Sequence, residues 1–210
     1  MKILALLLLF LAIATGCSFA QNYLMDNGEN GSFVNAFVGK DKIAFYKQAT
    51  IGYSINGRLD MALSGSHVHG DHIGTFYTIT PSLSYLFIKQ NKMPFSMGIS
   101  TEYEVKRFTQ TDLIKHNSFR VGASLYHRFK IGNNASLIPG AFATFTNTTR
   151  SLAPYRDHVN VSRMGLQNTI LLKTFSITPG VSYSQNTYLF SLRFGIIFKG
   201  ANHIEDLGDF

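Results

Sequence analysis

Three histidines and one aspartate fall within six residues, at a spacing that a metal site could use. The stretch reads HVHGDH and contains His67, His69, Asp71 and His72. Neutral imidazole and carboxylate groups bind zinc, copper and nickel. A zinc ion held by such groups can turn a bound water into a nucleophile. The stretch therefore predicts a polar loop that could bind a divalent metal, with a hydrolytic zinc centre as the alternative.

The zinc alternative depends on a resemblance of spacing. HVHGDH resembles the His-x-His-x-Asp-His motif of the metallo-β-lactamase superfamily, which implies an αββα sandwich, bound zinc and hydrolase activity. That fold needs amphipathic helices, and the sequence has no helical apolar period of any length. It also needs later ligands, for which His116 and His158 are the candidates. We keep the zinc hydrolase as the alternative function and expect no other cofactor.

A second group of residues that could do chemistry is spread along the chain, on the polar parity of the predicted strands. It contains six basic and three acidic residues: Arg58, Asp60, Glu102, Glu104, Lys106, Arg120, Arg128, Arg163 and Arg193. In a narrow barrel these side chains would face one another, and buried charges need partners. We therefore predict a paired charge network in the lumen. Its basic excess would give any narrow channel a weak preference for anions.

The elements that would position these charges are strands with one apolar and one polar face. The sequence TYLFSLRFGIIF at 187–198 places aromatic and aliphatic side chains on one parity, and Arg193 on the other. Side chains of a strand point alternately to opposite faces, so each strand would present an apolar face outward. The aromatic residues expected at the membrane interface are Tyr77, Tyr103, Tyr183, Tyr188 and Phe198.

Nine such segments follow residue 42, and short turns alternate with longer loops. Asn56-Gly57 has the residue types of a two-residue type I′ hairpin. Longer loops are predicted at 67–73, 109–117 and 147–160. Bacterial barrels have an even number of strands, so the weak segment 32–39 completes a set of about ten, with eight as the alternative. The predicted strands cover 32–39, 43–55, 58–66, 75–89, 95–106, 118–131, 135–146, 161–172, 175–184 and 187–198.

The two ends indicate export. Residues 1–20 have a basic start, an apolar core and a small-x-small cleavage site, which predicts a signal peptide; lipidation at Cys17 is the alternative. Residues 21–31 then form a loose periplasmic lead, 32–199 the barrel and 200–210 a polar acidic periplasmic tail. The net charge is +7, but the basic residues are not clustered, so we expect no nucleic-acid partner.

These features together resemble the small outer-membrane β-barrel proteins of Gram-negative bacteria. The resemblance lies in the signal peptide, in the hairpin at 52–58, and in the polar-glycine-aromatic closing strand with Arg193, Gly195 and Phe198. It implies an all-β fold, a transmembrane antiparallel up-and-down β-barrel in the outer membrane. It also implies that the membrane lipid and the barrel assembly machinery are partners. These families have no single activity, so the resemblance does not fix a role; we predict a structural, surface-interaction or narrow-channel role with no catalysis. The chain departs from the pattern because twelve residues follow the closing aromatic.

Overall fold

The structure is a computed structural model that describes residues 24–26, 28–70, 74–90, 93–108, 115–132, 134–152 and 155–200. The predicted signal peptide at 1–20 and most of the predicted tail lie outside the described residues. So do Asp71 and His72. Among the described residues, no helical segment has the length and apolarity that crossing a membrane requires.

Eleven β-strands make up nearly all of the described chain. They are β1 (Gly31–Lys40), β2 (Phe45–Ile55), β3 (Leu59–Gly70), β4 (Gly74–Ile88), β5 (Ser96–Phe108), β6 (Lys115–Tyr126), β7 (Phe129–Ile131), β8 (Ala135–Leu152), β9 (Tyr155–Leu172), β10 (Phe175–Ser184) and β11 (Thr187–Lys199).

The strands close into one antiparallel barrel. The sheet order is β6-β5-β4-β3-β2-β1-β11-β10-β9-β8-β7, and β6 also pairs with β8. The short β7 continues β6 along the same neighbour, so ten strands form the wall. The prediction of a ten-stranded antiparallel barrel is confirmed, and the alternative of eight strands is wrong. The αββα sandwich implied by the zinc alternative is wrong as well.

Side-chain burial follows the period of two along each strand. In β11, Tyr188 and Phe190 are 59% and 66% exposed. Leu189, which lies between them, and Arg193, which follows them, are buried. A strand in a closed barrel points alternate side chains to the lumen and to the outside. The apolar parity therefore faces outward and the charged parity faces the lumen, as the sequence predicts.

Inward aromatic rings lie over glycines of neighbouring strands. The Phe33 ring of β1 occupies the space that a Cβ of Gly52 would need, and the Met61 carbonyl oxygen would be 2.8 Å from that Cβ. Tyr126 covers Gly140 and Phe142 covers Gly165 in the same way. Packing of this kind fills the lumen without bending the strands.

Two predicted loops are strand for most of their length. β3 runs to Gly70, so the predicted loop at 67–73 holds paired strand residues up to its turn. β8 and β9 pair continuously from 135 to 172, which replaces the predicted loop at 147–160 with a hairpin of two 18-residue strands. Outward residues in these stretches are polar, so the apolar alternation that marks a strand is absent there.

The barrel is consequently uneven in height. We call the 18-residue strands β8 and β9, with the adjacent outer ends of β5 and β6, the tall wall. We call β1, β10 and β11, which have 10, 10 and 13 residues, the low wall.

The turn between β2 and β3 is the predicted one: Asn56 and Gly57 have φ values of 55° and 57°, as a type I′ turn requires.

Candidate functional site: the lumen and its closure

The structure buries seven of the nine predicted lumen charges. Asp60, Glu102, Glu104, Lys106, Arg120, Arg163 and Arg193 are buried, and Arg58 and Arg128 are half-buried at the end where the short turns lie. Long-range pairing of the strands therefore brings together residues that are up to 135 positions apart in sequence. The ion pairs among them include Glu102 with Arg120 and Glu104 with Lys106.

The central ion pair joins β5 and β6. The Arg120 guanidinium lies 2.5 Å from Glu102 Oε2, and its Nε donates a hydrogen bond to Thr146 Oγ1 at 3.1 Å on β8. Glu102 and Arg120 are cross-strand neighbours in the register, and both are 3% exposed. An ion pair that is this buried forms a cross-link between three adjacent strands in the middle of the lumen.

A second ion pair lies nearer the loop end. Lys106 Nζ is 3.1 Å from Glu104 Oε1, and it also lies 5.6 Å from the centroid of the Phe76 ring. On the opposite side of the lumen, the Arg193 guanidinium lies 5.9 Å from the Phe37 ring. Cations over aromatic faces are stabilised by the ring quadrupole, so these rings share in holding the lumen charges.

Hydroxyl groups fill much of the space between the charges. Pairs of threonine and serine side chains hydrogen-bond across neighbouring strands at 2.5 to 2.9 Å: Thr50 with Ser64, Ser66 with Thr78, Ser118 with Thr148, and Thr169 with Thr178. A cavity beside Arg193 and Gln167 has a volume of about 20 Å³. That is room for about one water molecule.

The end with the short turns is closed by apolar packing. Leu24 and Met25, which precede β1, are both fully buried. They belong to one apolar cluster with inward residues of six strands: Phe33, Leu86, Tyr126, Ile138, Leu171 and Ile197. We call this cluster the apolar plug. The sequence predicts a loose lead here, but Leu24 and Met25 pack instead against the inward side chains at this end of the lumen.

Polar contacts hold the lead against the rim. Asp26 Oδ1 lies 2.9 Å from Arg128, and Glu29 Oε1 lies 2.7 Å from Lys199 at the end of β11. The Asn56 amide donates a hydrogen bond to Asn30 Oδ1 at 2.7 Å. These contacts join the lead to the feet of β2, β7 and β11, so the plug is fastened on several sides.

Lys89 follows the last residue of β4 and borders the plug. Its ammonium donates a hydrogen bond to the Gly57 carbonyl oxygen at 2.5 Å. Burial lowers the pKa of Lys89 to about 8, although the carboxylates of Asp26, Asp60 and Glu29 act to raise it. Arg58 adds to the lowering. This lysine is therefore a proton-sensitive group at the rim.

Sequence reasoning missed some buried titratable residues, among them His116 and Arg150. His116 is fully buried, with its ring edge on Phe108 at 5.1 Å, and Arg150 is its cross-strand neighbour on β8. Both fall in predicted loops, so they were not assigned to a strand parity. Extending the inward parity of 118–131 by one pair of residues toward the N-terminus, and that of 135–146 by two pairs toward the C-terminus, would have found them.

The histidine stretch does not form a metal centre within the described residues. His67 and His69 lie on the outward face of β3; the His67 ring packs on Tyr77 at 5.0 Å, and His69 Nδ1 is 2.9 Å from Thr75 Oγ1. The described ranges contain no group of three or more histidine, cysteine, aspartate or glutamate residues that could hold a metal ion. His116 faces the lumen and His158 faces outward, so they cannot complete one site with His67.

Outward aromatic residues gather near both ends of the strands. Those near the loop ends include Phe45, Tyr77, Tyr103, Phe119, Tyr183 and Tyr188, and those near the short-turn ends include Tyr85, Phe87, Phe129, Phe175 and Phe198. All are at least 38% exposed. Two belts of aromatic residues around an apolar band are the surface that membrane barrels present to lipid.

Comparisons with known proteins agree with this architecture. No protein-family model matches the sequence, and no curated protein is significantly similar to it. Among solved structures, the chain is similar to the β domain of the Bordetella autotransporter BrkA, with 11% identity and a TM-score of 0.53 over 82% of this chain and 100% of that one. At this identity the likeness establishes the fold and no more.

Two further structures have lower similarity. The attachment invasion locus protein Ail of Yersinia pestis matches with 13% identity and a TM-score of 0.40, over 83% of this chain and 99% of that one. A KdgM porin matches with 10% identity and a TM-score of 0.43, over 78% of this chain and 98% of that one.

Proposed function

We propose that the chain is an outer-membrane barrel that acts through its outer surface, with a closed lumen and without catalysis. The observation that carries this proposal is the filling of the lumen from its middle to its short-turn end. Ion pairs and hydroxyl pairs occupy the middle, and the apolar plug occupies the end. A surface-interaction or structural role fits this interior better than a narrow channel does.

The outward surface supports placement in a membrane. Large apolar side chains cover it, and many are more than 40% exposed, which in water would favour aggregation. A closed barrel leaves no unpaired strand edge, and this is one of the two architectures that can span a hydrocarbon layer. The aromatic belts mark where the layer would end on each side. The lipid of the outer membrane is therefore the proposed surrounding.

The orientation follows from the uneven strand lengths. The two 18-residue strands, β8 and β9, extend at the end opposite the plug, and bacterial barrels carry their longer connections on the outside. We therefore place the plug and both chain ends on the periplasmic side, and the tall wall outside. The closing strand β11, with Arg193, Gly195 and Phe198, pairs with β1, and we propose that it is the segment presented to the assembly machinery.

The test is cellular fractionation followed by gel electrophoresis with and without heating. We expect the protein in the outer-membrane fraction, with an unheated band that runs faster than the heated band, because a folded barrel resists detergent. Adding a zinc chelator should change neither result. Recovery from the soluble periplasm with about one bound zinc per chain would overturn the proposal.

A further inference from the structure

We propose that a groove on the outer surface of the tall wall binds the phosphorylated saccharide headgroup of a lipid in the outer leaflet. The inference rests on the proposed function, because it requires the barrel to stand in an outer membrane. It assigns a ligand class to the surface through which the barrel is proposed to act.

The groove crosses four strands and has a volume of about 260 Å³. That is slightly below the size of a typical drug-sized site and suits a small headgroup rather than a long chain. Its lining residues are Tyr103, Asn117, Phe119, Asn147, Thr149, Ser151 and Arg156. They include two aromatic rings, four neutral hydrogen-bonding side chains and one cation, with no acidic residue.

The groove begins where the apolar band of the barrel ends. Tyr103, Phe119, Asn147 and Asn160 are successive cross-strand neighbours, so they form one row around the tall wall. Toward the periplasm, the next outward residue of β8 is Phe145, which is 46% exposed. Away from the periplasm, the outward residues of β8 and β9 that the structure describes are polar: Thr149, Ser151, Arg156 and His158. The row therefore marks the level at which hydrocarbon gives way to headgroups.

The polar side chains of this region are held in place before any ligand arrives. Asn147 Nδ2 donates a hydrogen bond to Asn160 Oδ1 at 2.7 Å, and Thr149 Oγ1 lies 3.2 Å from His158 Nδ1. Amides and hydroxyls fixed on a rigid sheet can pair with sugar hydroxyls at a low cost in entropy. The rings of Tyr103 and Phe119, 46% and 50% exposed, offer apolar area to the C–H face of a sugar.

The single cation gives the site a preference for an anionic group. Arg156 is exposed at the upper end of the groove, and a guanidinium matches the geometry of phosphate with two parallel hydrogen bonds. A ligand with apolar, hydroxyl and phosphate parts in that order fits the groove from bottom to top. A phosphorylated sugar anchored by acyl chains has those parts in that order.

The loop end of the low wall has a different lining. The outward residues of β11 are apolar up to Tyr188 at its loop end. The cavity there has a volume of about 540 Å³, and its lining combines two cations with a carboxylate: Lys40, Asp41, Lys42, Asn186, Thr187, Tyr188 and Phe190. The described lining of the groove on the tall wall contains no such carboxylate, which favours an anionic ligand there.

The experiment uses the full chain in neutral detergent, with lipid retention measured by native mass spectrometry. The probes are lipid A, lipid A with its phosphates removed, and free glucosamine 1-phosphate. The variants are Arg156→Gln and the pair Asn147→Ala with Thr149→Val. Lys130→Gln, which removes one exposed charge at the periplasmic end, is the matched control. An unheated gel band checks that every sample is folded.

We expect the wild-type chain to retain lipid A and Arg156→Gln to weaken its binding roughly tenfold, because one charge-assisted contact is lost. Removing the phosphates should weaken binding similarly and abolish the effect of Arg156→Gln. The Asn147 and Thr149 pair should weaken both lipid forms, and Lys130→Gln should change neither.

Equal binding by Arg156→Gln and Lys130→Gln in folded samples would overturn the groove but leave the barrel intact. Equal affinity for glucosamine 1-phosphate and lipid A would assign the groove to a soluble sugar phosphate and overturn the lipid-borne ligand. Failure of the wild-type chain to show a compact unheated band would instead overturn the proposed function.

Discussion

The side chains inside the lumen interact by different physical means in its middle and at the end where the plug lies. In the middle, Glu102 and Arg120 pair at 2.5 Å, and each is almost fully buried. At the end, Leu24 and Met25 pack into apolar side chains, and the ion pairs there lie at the rim. We therefore expect variants in the two regions to fail differently. A variant in the middle should leave a buried charge unpaired, whereas a variant in the plug should open it.

The largest expected effect comes from breaking the central ion pair. Glu102→Ala leaves the Arg120 guanidinium buried without its carboxylate, which should cost about 3–5 kcal/mol of the free energy of unfolding. Glu29→Ala, which breaks the rim pair with Lys199, should cost about 1 kcal/mol or less. Urea unfolding of the two variants in lipid vesicles measures both losses of unfolding free energy.

Equal losses in these two variants would remove the distinction between middle and rim. If Glu102→Ala does not fold, the double variant Glu102→Met with Arg120→Met keeps the test available. It replaces the pair with apolar side chains of similar size, so it should recover most of the stability.

The next effect concerns opening of the plug. The only cysteine of the chain is Cys17, in the predicted signal peptide, so an introduced cysteine can report its own exposure. We expect Leu24→Cys to react with a water-soluble maleimide at least about a hundredfold more slowly than Lys173→Cys at an exposed turn, because labelling requires local opening. Adding Met25→Asp should abolish the difference. Equal rates in the otherwise unchanged chain would show that no plug exists.

A smaller effect should follow from crowding the plug through its neighbour. Gly52→Ala places a methyl group where the Phe33 ring lies, and Phe33 belongs to the plug. We expect a loss of about 1–3 kcal/mol in unfolding free energy. Gly65→Ala is the matched control, because a Cβ there meets nothing within 4 Å. If both variants unfold alike, close packing under Phe33 does not contribute to the plug.

The last effect is a pH dependence at the rim. Burial lowers the pKa of Lys89 to about 8, below the 10.5 of an exposed lysine. Between these values the unfolded chain binds more protons than the folded chain, so Lys89 should make stability rise with pH from about 8 to 10.5. Lys89→Met should remove that part of the rise in a series of urea midpoints. An identical pH profile in the variant would contradict the assignment.

The sequence predicted the barrel better than it predicted what closes it. Alternation is clear in β4, β5 and β11, with few exceptions such as Leu189, and an even strand count is enough to make the weak segment at 32–39 into β1. The charges at Glu102 and Arg120 lie inside strands with clear parity, so their inward direction followed. That Glu102 and Arg120 pair with each other depends on the register of the strands, which the alternation of apolar and polar residues does not determine.

The features that were missed lack a periodic signal. Leu24 and Met25 stand in a polar, glycine-rich lead, and their burial depends on a lumen formed by residues far away in sequence. The upper tall wall has polar residues on its outward face, such as Asn147 and Thr149, so no apolar alternation marks it as strand. His116 and Arg150 lie in this part of the wall, so they were not predicted as inward strand residues. Tertiary closure, not local propensity, decides each of these cases.

The most direct test of the closed lumen is conductance of the wild-type chain in planar lipid bilayers. Insertion should be verified in the same preparation by the compact unheated gel band. We predict no discrete, stable conductance steps, because the ion pairs in the middle and the apolar plug both block the path. Reproducible single-channel steps from the inserted wild-type chain would contradict this and identify the barrel as a channel.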